Sequence, residues 1–144
     1  MRAVVQRVQK ASVSVDEKVV GKINYGYMIL VGFTEGDNDT NIETMVKKIL
    51  NLRIMDDENG VMNKSILDIG GEILSISQFT LYGDARKGNR PSYIEALKGE
   101  EATILYDKFN DELSKYIHVE KGIFGANMQV SLVNDGPTTI LLEK

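Results

Sequence analysis

Apolar and polar residues alternate, or nearly so, from Arg2 to Val8 and from Ser12 to Val15, and Val19 to Ile23 continues in that style before Asn24-Tyr25-Gly26. A two-residue period puts every second side chain on one face, so the chain is expected to open with strands. Tyr27 to Thr34 is almost unbroken apolar sequence, as in a strand covered on both faces, and the polar run Glu35 to Asp39 closes it. The period then lengthens: Ile42, Met45, Val46, Ile49 and Leu50 fall on one helical stripe, and Thr40 and Glu43 have capping-box spacing. Leu52 to Met55 and Ser65 to Ile69 flank the turn-rich Asp56 to Gly60 and predict a hairpin-like region; Glu72 to Leu81 is a further strand.

After Tyr82-Gly83-Asp84 comes a basic loop, Arg86 to Arg90, then Pro91-Ser92, with Glu95 at capping-box spacing from Ser92, which predicts a short helical stretch. A second long helix is expected after Gly99, with Ala102, Leu105, Phe109, Leu113 and Tyr116 facing inward. Met128, Val130 and Leu132 return to strand alternation, Asn134-Asp135-Gly136-Pro137 reads as a turn, and Thr138 to Leu142 is β-branched and apolar. Many strands with two principal helices predict an α/β fold of mixed or antiparallel sheets covered on one side by helices.

Composition narrows the picture. With 144 residues, 42% of them hydrophobic, and no linker-like stretch, one domain spanning 1–144 is expected. Cysteine is absent, which excludes disulfides, thiolate nucleophiles, iron–sulfur clusters and cysteine-based zinc sites. The longest apolar run, Tyr27 to Phe33, is far short of the roughly 20 residues that span a bilayer. Met1 to Val15 has no continuous apolar core of an export signal, so the expected location is cytoplasmic, with no membrane partner. A net charge of −4 argues against gripping long stretches of phosphate backbone, DNA included, but permits contact with a few terminal nucleotides through a local basic cluster.

The sequence contains no Gly-x-Ser-x-Gly elbow, P-loop, dinucleotide-binding glycine motif or His-Glu-x-x-His. The single histidine, His118, has no accompanying motif and reads as a structural or surface residue; neither a metal nor a cofactor is expected. Ser77-Gln78-Phe79-Thr80 reads either as a strand with one wet face or as hydroxyl and amide groups that line a pocket and orient an ester and a water. Asn134-Asp135-Gly136-Pro137 reads either as a plain turn or as a held pair of main-chain carbonyls, since a Gly–Pro bond is among the few that adopt the cis form. Arg86-Lys87-Gly88-Asn89-Arg90 is either a solvated loop or a phosphate-contacting one.

Together with Met1 to Val8, Ser77 to Asp84, Lys87 to Ser92 and Gly125 to Met128, this Asn134 to Pro137 segment closely resembles the D-aminoacyl-tRNA deacylase family, which includes the D-tyrosyl-tRNA deacylases. The resemblance covers nearly the whole chain; Thr138 stands where the family often has valine. It implies a barrel-like, three-layer fold and a homodimer in which Gly136-Pro137 of one subunit, cis, enters the other's pocket. It further implies Ser77, Gln78, Phe79 and Thr80 as the catalytic segment, and Gly136, Pro137, Arg7, Phe124, Ala126 and Met128 as substrate-binding and chirality-selecting residues. Arg7 would brace the Gly-Pro turn and Phe124 would pack near the terminal adenine.

The substrate implied is D-aminoacyl-tRNA, recognised at its 3′-terminal adenosine and aminoacyl group. Glycyl-tRNA mischarged on tRNA(Ala) would also be accepted, since glycine has no side chain to exclude. Hydrolysis would be assisted by the tRNA 2′-OH, with amides near Phe79 and Thr80 facing the oxyanion. Two rivals stand beside this reading: an esterase with Ser77 or Thr80 as nucleophile, and a non-catalytic dimeric module whose basic loop binds RNA.

Overall fold

Each residue from 1 to 144 is described by the computed structural model of the chain. The alternating opening forms β1 (Arg2–Val15), one strand rather than two, followed by β2 (Lys18–Ile23) and β3 (Gly26–Gly32). Helix α1 (Asp39–Asn51) buries the predicted stripe, Ile42, Met45, Val46, Ile49 and Leu50. Its cap lies earlier than expected: Asn38 accepts from the Thr40 and Asn41 amides while the Asn41 side chain accepts from Asn38 N, so the box is Asn38/Asn41 rather than Thr40/Glu43. The hairpin joins β4 (Met55–Asp56) to β5 (Met62–Lys64), and Ser65 to Ile69 is no strand, because Ser65 and Asp68 bond reciprocally and turn the backbone.

The strand expected over Glu72 to Leu81 ends early. β6 (Glu72–Ser77) gives way to a 3-10 turn, Phe79–Tyr82, which takes Thr80 off the strand. No helix forms over Pro91 to Glu95, because Asp84 and Ser92 exchange backbone bonds of 2.8 Å and the Thr34 hydroxyl donates to Glu95 O. Helix α2 (Gly99–Ser114) buries Ala102, Phe109 and Leu113 as predicted, while Tyr106 is fully inward where Leu105 is only partly so, and Tyr116 lies beyond the helix and exposed. β7 (His118–Lys121) follows, then β8 (Gln129–Glu143), a single strand that carries Asn134 to Pro137 inside it as a bulge.

The sheet runs β2-β1-β3-β6-β7, with β8 along the other edge of β1. β1 is antiparallel to β2, β3 and β8, whereas β3 to β6 and β6 to β7 are parallel, which makes the sheet mixed. Both helices cover one face, packing on Ala3, Val5, Tyr27, Ile29, Val31 and Ile73. The opposite face holds a second core of Val8, Ala11, Val13, Ile23, Met28, Leu74 and Ile76, where β2 folds back over β6 and nearly closes a barrel. β1 supplies both cores because its register shifts between Gln6 and Lys10, which bends the strand and redirects its buried side.

Gly26, opposite Glu72 where the parallel ladder begins, is required by close approach: a Cβ there would overlap the Glu72 carbonyl oxygen and stand 2.7 Å from Glu72 N. Gly26→Ala is therefore expected to cost about 3 kcal/mol or more, read by urea denaturation, because backbone must move to admit the methyl group. A loss below about 1 kcal/mol would mean that the ladder shifts freely.

Candidate active site

Because β3 and β6 run parallel in a register from Gly26↔Glu72 to Val31↔Ser77, their C-terminal ends emerge side by side. A crevice at such strand ends is a favoured ligand site. Here it is a cavity of about 300 Å³ lined by 16 residues, 11 of them hydrophobic. Ser77, Gln78 and Phe79 form one wall and Phe124 to Met128 another, with Phe33 and Leu97 between them. None of the lining residues has an ionisable side chain; the polar side chains are the Ser77 hydroxyl and the Gln78 and Asn127 amides.

The wall containing Phe124 is held from behind. Its ring lies 5.8 Å from that of Tyr106, whose hydroxyl donates to Ser75 O at 2.8 Å, and Gly122 N donates to the same carbonyl at 3.2 Å. One carbonyl on β6 thus positions both α2 and the loop before β8. Burial pushes the Tyr106 phenol above its ordinary pKa, so it stays neutral and a donor.

The structure brings Ser77, Gln78, Phe79, Phe124, Ala126 and Met128 together around this cavity. Thr80 stands outside the lining, and its hydroxyl accepts from the Gln78 side chain at 2.6 Å. The amides of Phe79 and Thr80 open the 3-10 turn and have no acceptor in the chain, as expected of the first N–H groups of a helical turn.

Arg7, Gly136 and Pro137 form a separate cluster. The register runs from Gln6↔Thr139 to Val8↔Asn134, so Arg7 faces the whole bulge Asp135 to Thr138. Arg7 is buried, donates through Nη1 to Ile54 O at 2.8 Å and Asp56 Oδ1 at 3.1 Å, and places Nε 3.1 Å from Asp135 Oδ2. Arg7 braces the bulge by way of the Asp135 carboxylate, and its one carbonyl acceptor is Ile54. Asn134 ties the bulge's ends together by donating to Arg7 O and Thr138 O. Gly136-Pro137 is cis, and Gly136 has φ of +115°, with Thr138 Oγ1 only 2.6 Å from where a Cβ would be. Arg7 pairs with Tyr27 at the start of β3. Three residues of β3, roughly 10 Å of strand, therefore separate the row of the bulge from Leu30, the first β3 residue that lines the cavity of its own chain.

His118 pairs with Glu72 at the end of β6 remote from the cavity, is exposed, and faces Glu120 and Glu72 carboxylates at 3.3 and 3.8 Å. In the basic loop, Arg86 is bound to Asp84 at 2.7 Å and holds that carboxyl down to about 2, while Lys87 and Arg90 are exposed. Sequence reasoning missed Phe33, Leu97 and Asn127 as lining residues, and Lys98, whose ammonium lies 4.9 Å from the Phe79 ring centroid. The apolar pair resembles core sequence; Lys98 before Gly99 resembles the lead into a helix.

The family profile described as D-Tyr-tRNA(Tyr) deacylase matches residues 4–143. A D-aminoacyl-tRNA deacylase of Clostridium botulinum (strain 657 / Type Ba4) is 56% identical over 144 residues, covering 99% of this chain and 97% of that protein. Among solved structures, one described as c-Myc DNA Unwinding Element Binding Protein is 44% identical with a TM-score of 0.95, covering 100% of this chain and 99% of its own. Another, described as a probable eukaryotic D-amino acid tRNA deacylase, has a TM-score of 0.84 at 18% identity over 98% of this chain and 97% of its own, a likeness of fold.

Replacing Arg7 by Met keeps an apolar stem but removes every guanidinium contact to Ile54, Asp56 and Asp135. The expected cost is about 2–3 kcal/mol in chemical denaturation, less than for a fully buried pair because both carboxylates keep some contact with water. A change under about 0.5 kcal/mol would show that the bulge does not depend on Arg7.

Proposed function

The chain belongs to the D-Tyr-tRNA(Tyr) deacylase family, and we propose that it selects its substrate by excluding L side chains with main-chain carbonyls supplied across a homodimer. It is an enzyme, a D-aminoacyl-tRNA deacylase, which hydrolyses the ester between a D-amino acid and tRNA. The finer reading is carried by one observation: the catalytic-segment residues Ser77, Gln78 and Phe79 meet Phe124, Ala126 and Met128 around a cavity without an ionisable side chain, while Gly136-Pro137 of the same chain lies away from it. A second subunit supplies the missing element.

On this reading the carbonyls of Gly136 and Pro137 of the partner subunit accept from the substrate's α-ammonium and occupy the direction an L side chain would take. Arg7, acting through Asp135, keeps them in place. Glycyl-tRNA mischarged on tRNA(Ala) is accepted because glycine presents nothing to exclude. Phe124 packs near the terminal adenine, an aromatic face suited to stacking. With no protein base beside Ser77 or Thr80, a hydroxyl nucleophile would be weak. The tRNA 2′-OH therefore assists water, and the free amides of Phe79 and Thr80 donate to the oxyanion. Proofreading of this kind belongs in the cytoplasm. The DNA-binding role in the 44% identical relative's description is not carried over, since a net charge of −4 offers little to a phosphate duplex.

The direct test is release of amino acid from D- and L-tyrosyl-tRNA by the purified protein, with attempted trapping of an acyl-enzyme. Thr80→Ala should keep activity within about threefold, because losing an activated nucleophile or its base costs a hundredfold or more. A covalent acyl intermediate, or an inactive but folded Thr80→Ala, would favour the nucleophilic esterase.

Gly136→Ala puts a Cβ against Thr138 Oγ1 and N at positive φ, so the bulge must rearrange. A folded Gly136→Ala variant should lose at least about tenfold in D-over-L preference, since displacements near 1 Å degrade positioning strongly. Preference equal to the parent's would remove the bulge from chiral selection.

A further inference from the structure

We propose that Lys98 is a phosphate-binding residue on the rim of the cavity, engaging the phosphodiester on the 5′ side of the terminal nucleotide of a single-stranded RNA end. This deepens the deacylase reading and rests on it. Lys98 is exposed and makes neither an ion pair nor a hydrogen bond, although Asp and Glu outnumber Lys and Arg by 21 to 17 in the chain. Glu100 and Glu101 follow it in the first turn of α2, yet neither pairs with it. Its ammonium instead lies 4.9 Å from the ring centroid of Phe79, a cavity-lining residue, and 5.6 Å from that of Tyr93.

A cation over ring faces is positioned without being neutralised, so its outward N–H groups remain available to an anion. The two rings are themselves locked edge to face, with centroids 5.2 Å apart.

The rim around Lys98 is held by the sheet end. Leu97 N donates to Phe33 O at 2.9 Å, Ala96 bridges Thr34, and the Thr34 hydroxyl donates to Glu95 O at 2.6 Å. Phe33 and Leu97 both line the cavity, so the charge stands one residue from the wall on a fixed backbone. Tyr93 also packs against Gly83, beside the Asp84–Ser92 bridge that closes the loop with Lys87 and Arg90. Lys87 and Arg90, like Lys98, are exposed, so this loop adds two further cations beside Tyr93. A nucleotide held with its ester at Ser77 to Phe79 sends its 5′ phosphate outward past the Phe79 ring, where a fixed cation fits a polyanion's first phosphate.

The test compares the parent, Lys98→Met and Lys98→Arg on D-tyrosyl-tRNA and on the nucleoside ester 3′-D-tyrosyl-adenosine, which has no phosphate. Lys98→Met keeps the stem on the rings without the charge. It should lower kcat/KM on the tRNA ester about tenfold, chiefly through KM, and flatten the log–log salt dependence by about 0.7, the share of one single-strand phosphate contact. The nucleoside ester should be cleaved equally by all three proteins, and Lys98→Arg should restore the tRNA rate. Equal losses on both esters, or an unchanged salt slope, would overturn the proposal by showing that Lys98 only packs Phe79. Binding of a CCA trinucleotide against adenosine separates the two readings: a parent that cannot hydrolyse D-tyrosyl-tRNA refutes the deacylase reading, while trinucleotide affinity lost in Lys98→Met and kept in Lys98→Arg still supports the phosphate contact.

Discussion

The parallel pairing of β3 with β6 is the constraint from which the rest of the architecture follows. Two parallel neighbours cannot be joined by a tight turn, so the chain must cross over through α1 and the β4–β5 hairpin before β6 begins. The next parallel step, β6 to β7, requires a second crossover, which is α2. Both steps move in the same direction across the sheet, and right-handed crossovers then place both helices on the same face. The opposite face is left for β2 and the far half of β1, whose bend carries them over Met28, Leu74 and Ile76. The ladder closes up against Gly26 at one end and opens at the other, where Val31 and Ser77 stop side by side. The cavity is the space beyond those two ends.

Elements defined by local periodicity were legible in the sequence. The stripe of α1, the doubly buried β3 and the alternation of β1 and β8 each repeat a pattern that backbone geometry imposes over several turns or pairs. Single-residue boundaries were less legible, because distant partners decide them. Thr40 and Asn38 both suit a helix start, but only Asn38 has the extended backbone (φ −145°) that lets its side chain reach the first amides. Ser92 and Glu95 have cap spacing, yet the backbone there is already bonded to Asp84 and Thr34. The last rung of the ladder is Gln78 N to Val31 O, and beyond it the chain tightens into a 3-10 turn that no local pattern in the sequence announces.

The candidate site was legible where its residues are chemically unusual and hidden where they look like core. Ser77-Gln78 and Gly136-Pro137 are conspicuous in any strand; Phe33 and Leu97 are not, since only the end of the β3–β6 ladder makes a lining residue of an apolar one. The role of Asp135 was equally invisible. Its carboxylate meets Arg7 only because the bulge sets four residues of β8 against one of β1. Arg7 in turn reaches the hairpin through Ile54 and Asp56, so one buried cation ties together β1, β8 and the strand after α1.

A cavity walled by apolar groups and amides limits how an ester could be cleaved there. His118 is at the far end of β6, and the Tyr106 phenol, though next to the wall, lies behind Phe124 and is spent on Ser75 O. Acid–base assistance by protein, ordinarily worth 10²–10⁴ in rate, thus has no visible donor in the wall. Two contributions remain available to such a surface. Fixed geometry converts attack on the ester into an effectively unimolecular step, for which about 7–11 kcal/mol is the known range, and free amides at a tight turn stabilise a developing oxyanion by about 3–4 kcal/mol each. Both depend on rigid placement rather than on titration, which is what the shared carbonyl of Ser75 and the clamp between Phe33 and Leu97 provide. The proposed use of the substrate's own 2′-OH fits that division, since the one group the wall lacks is then carried in by the RNA.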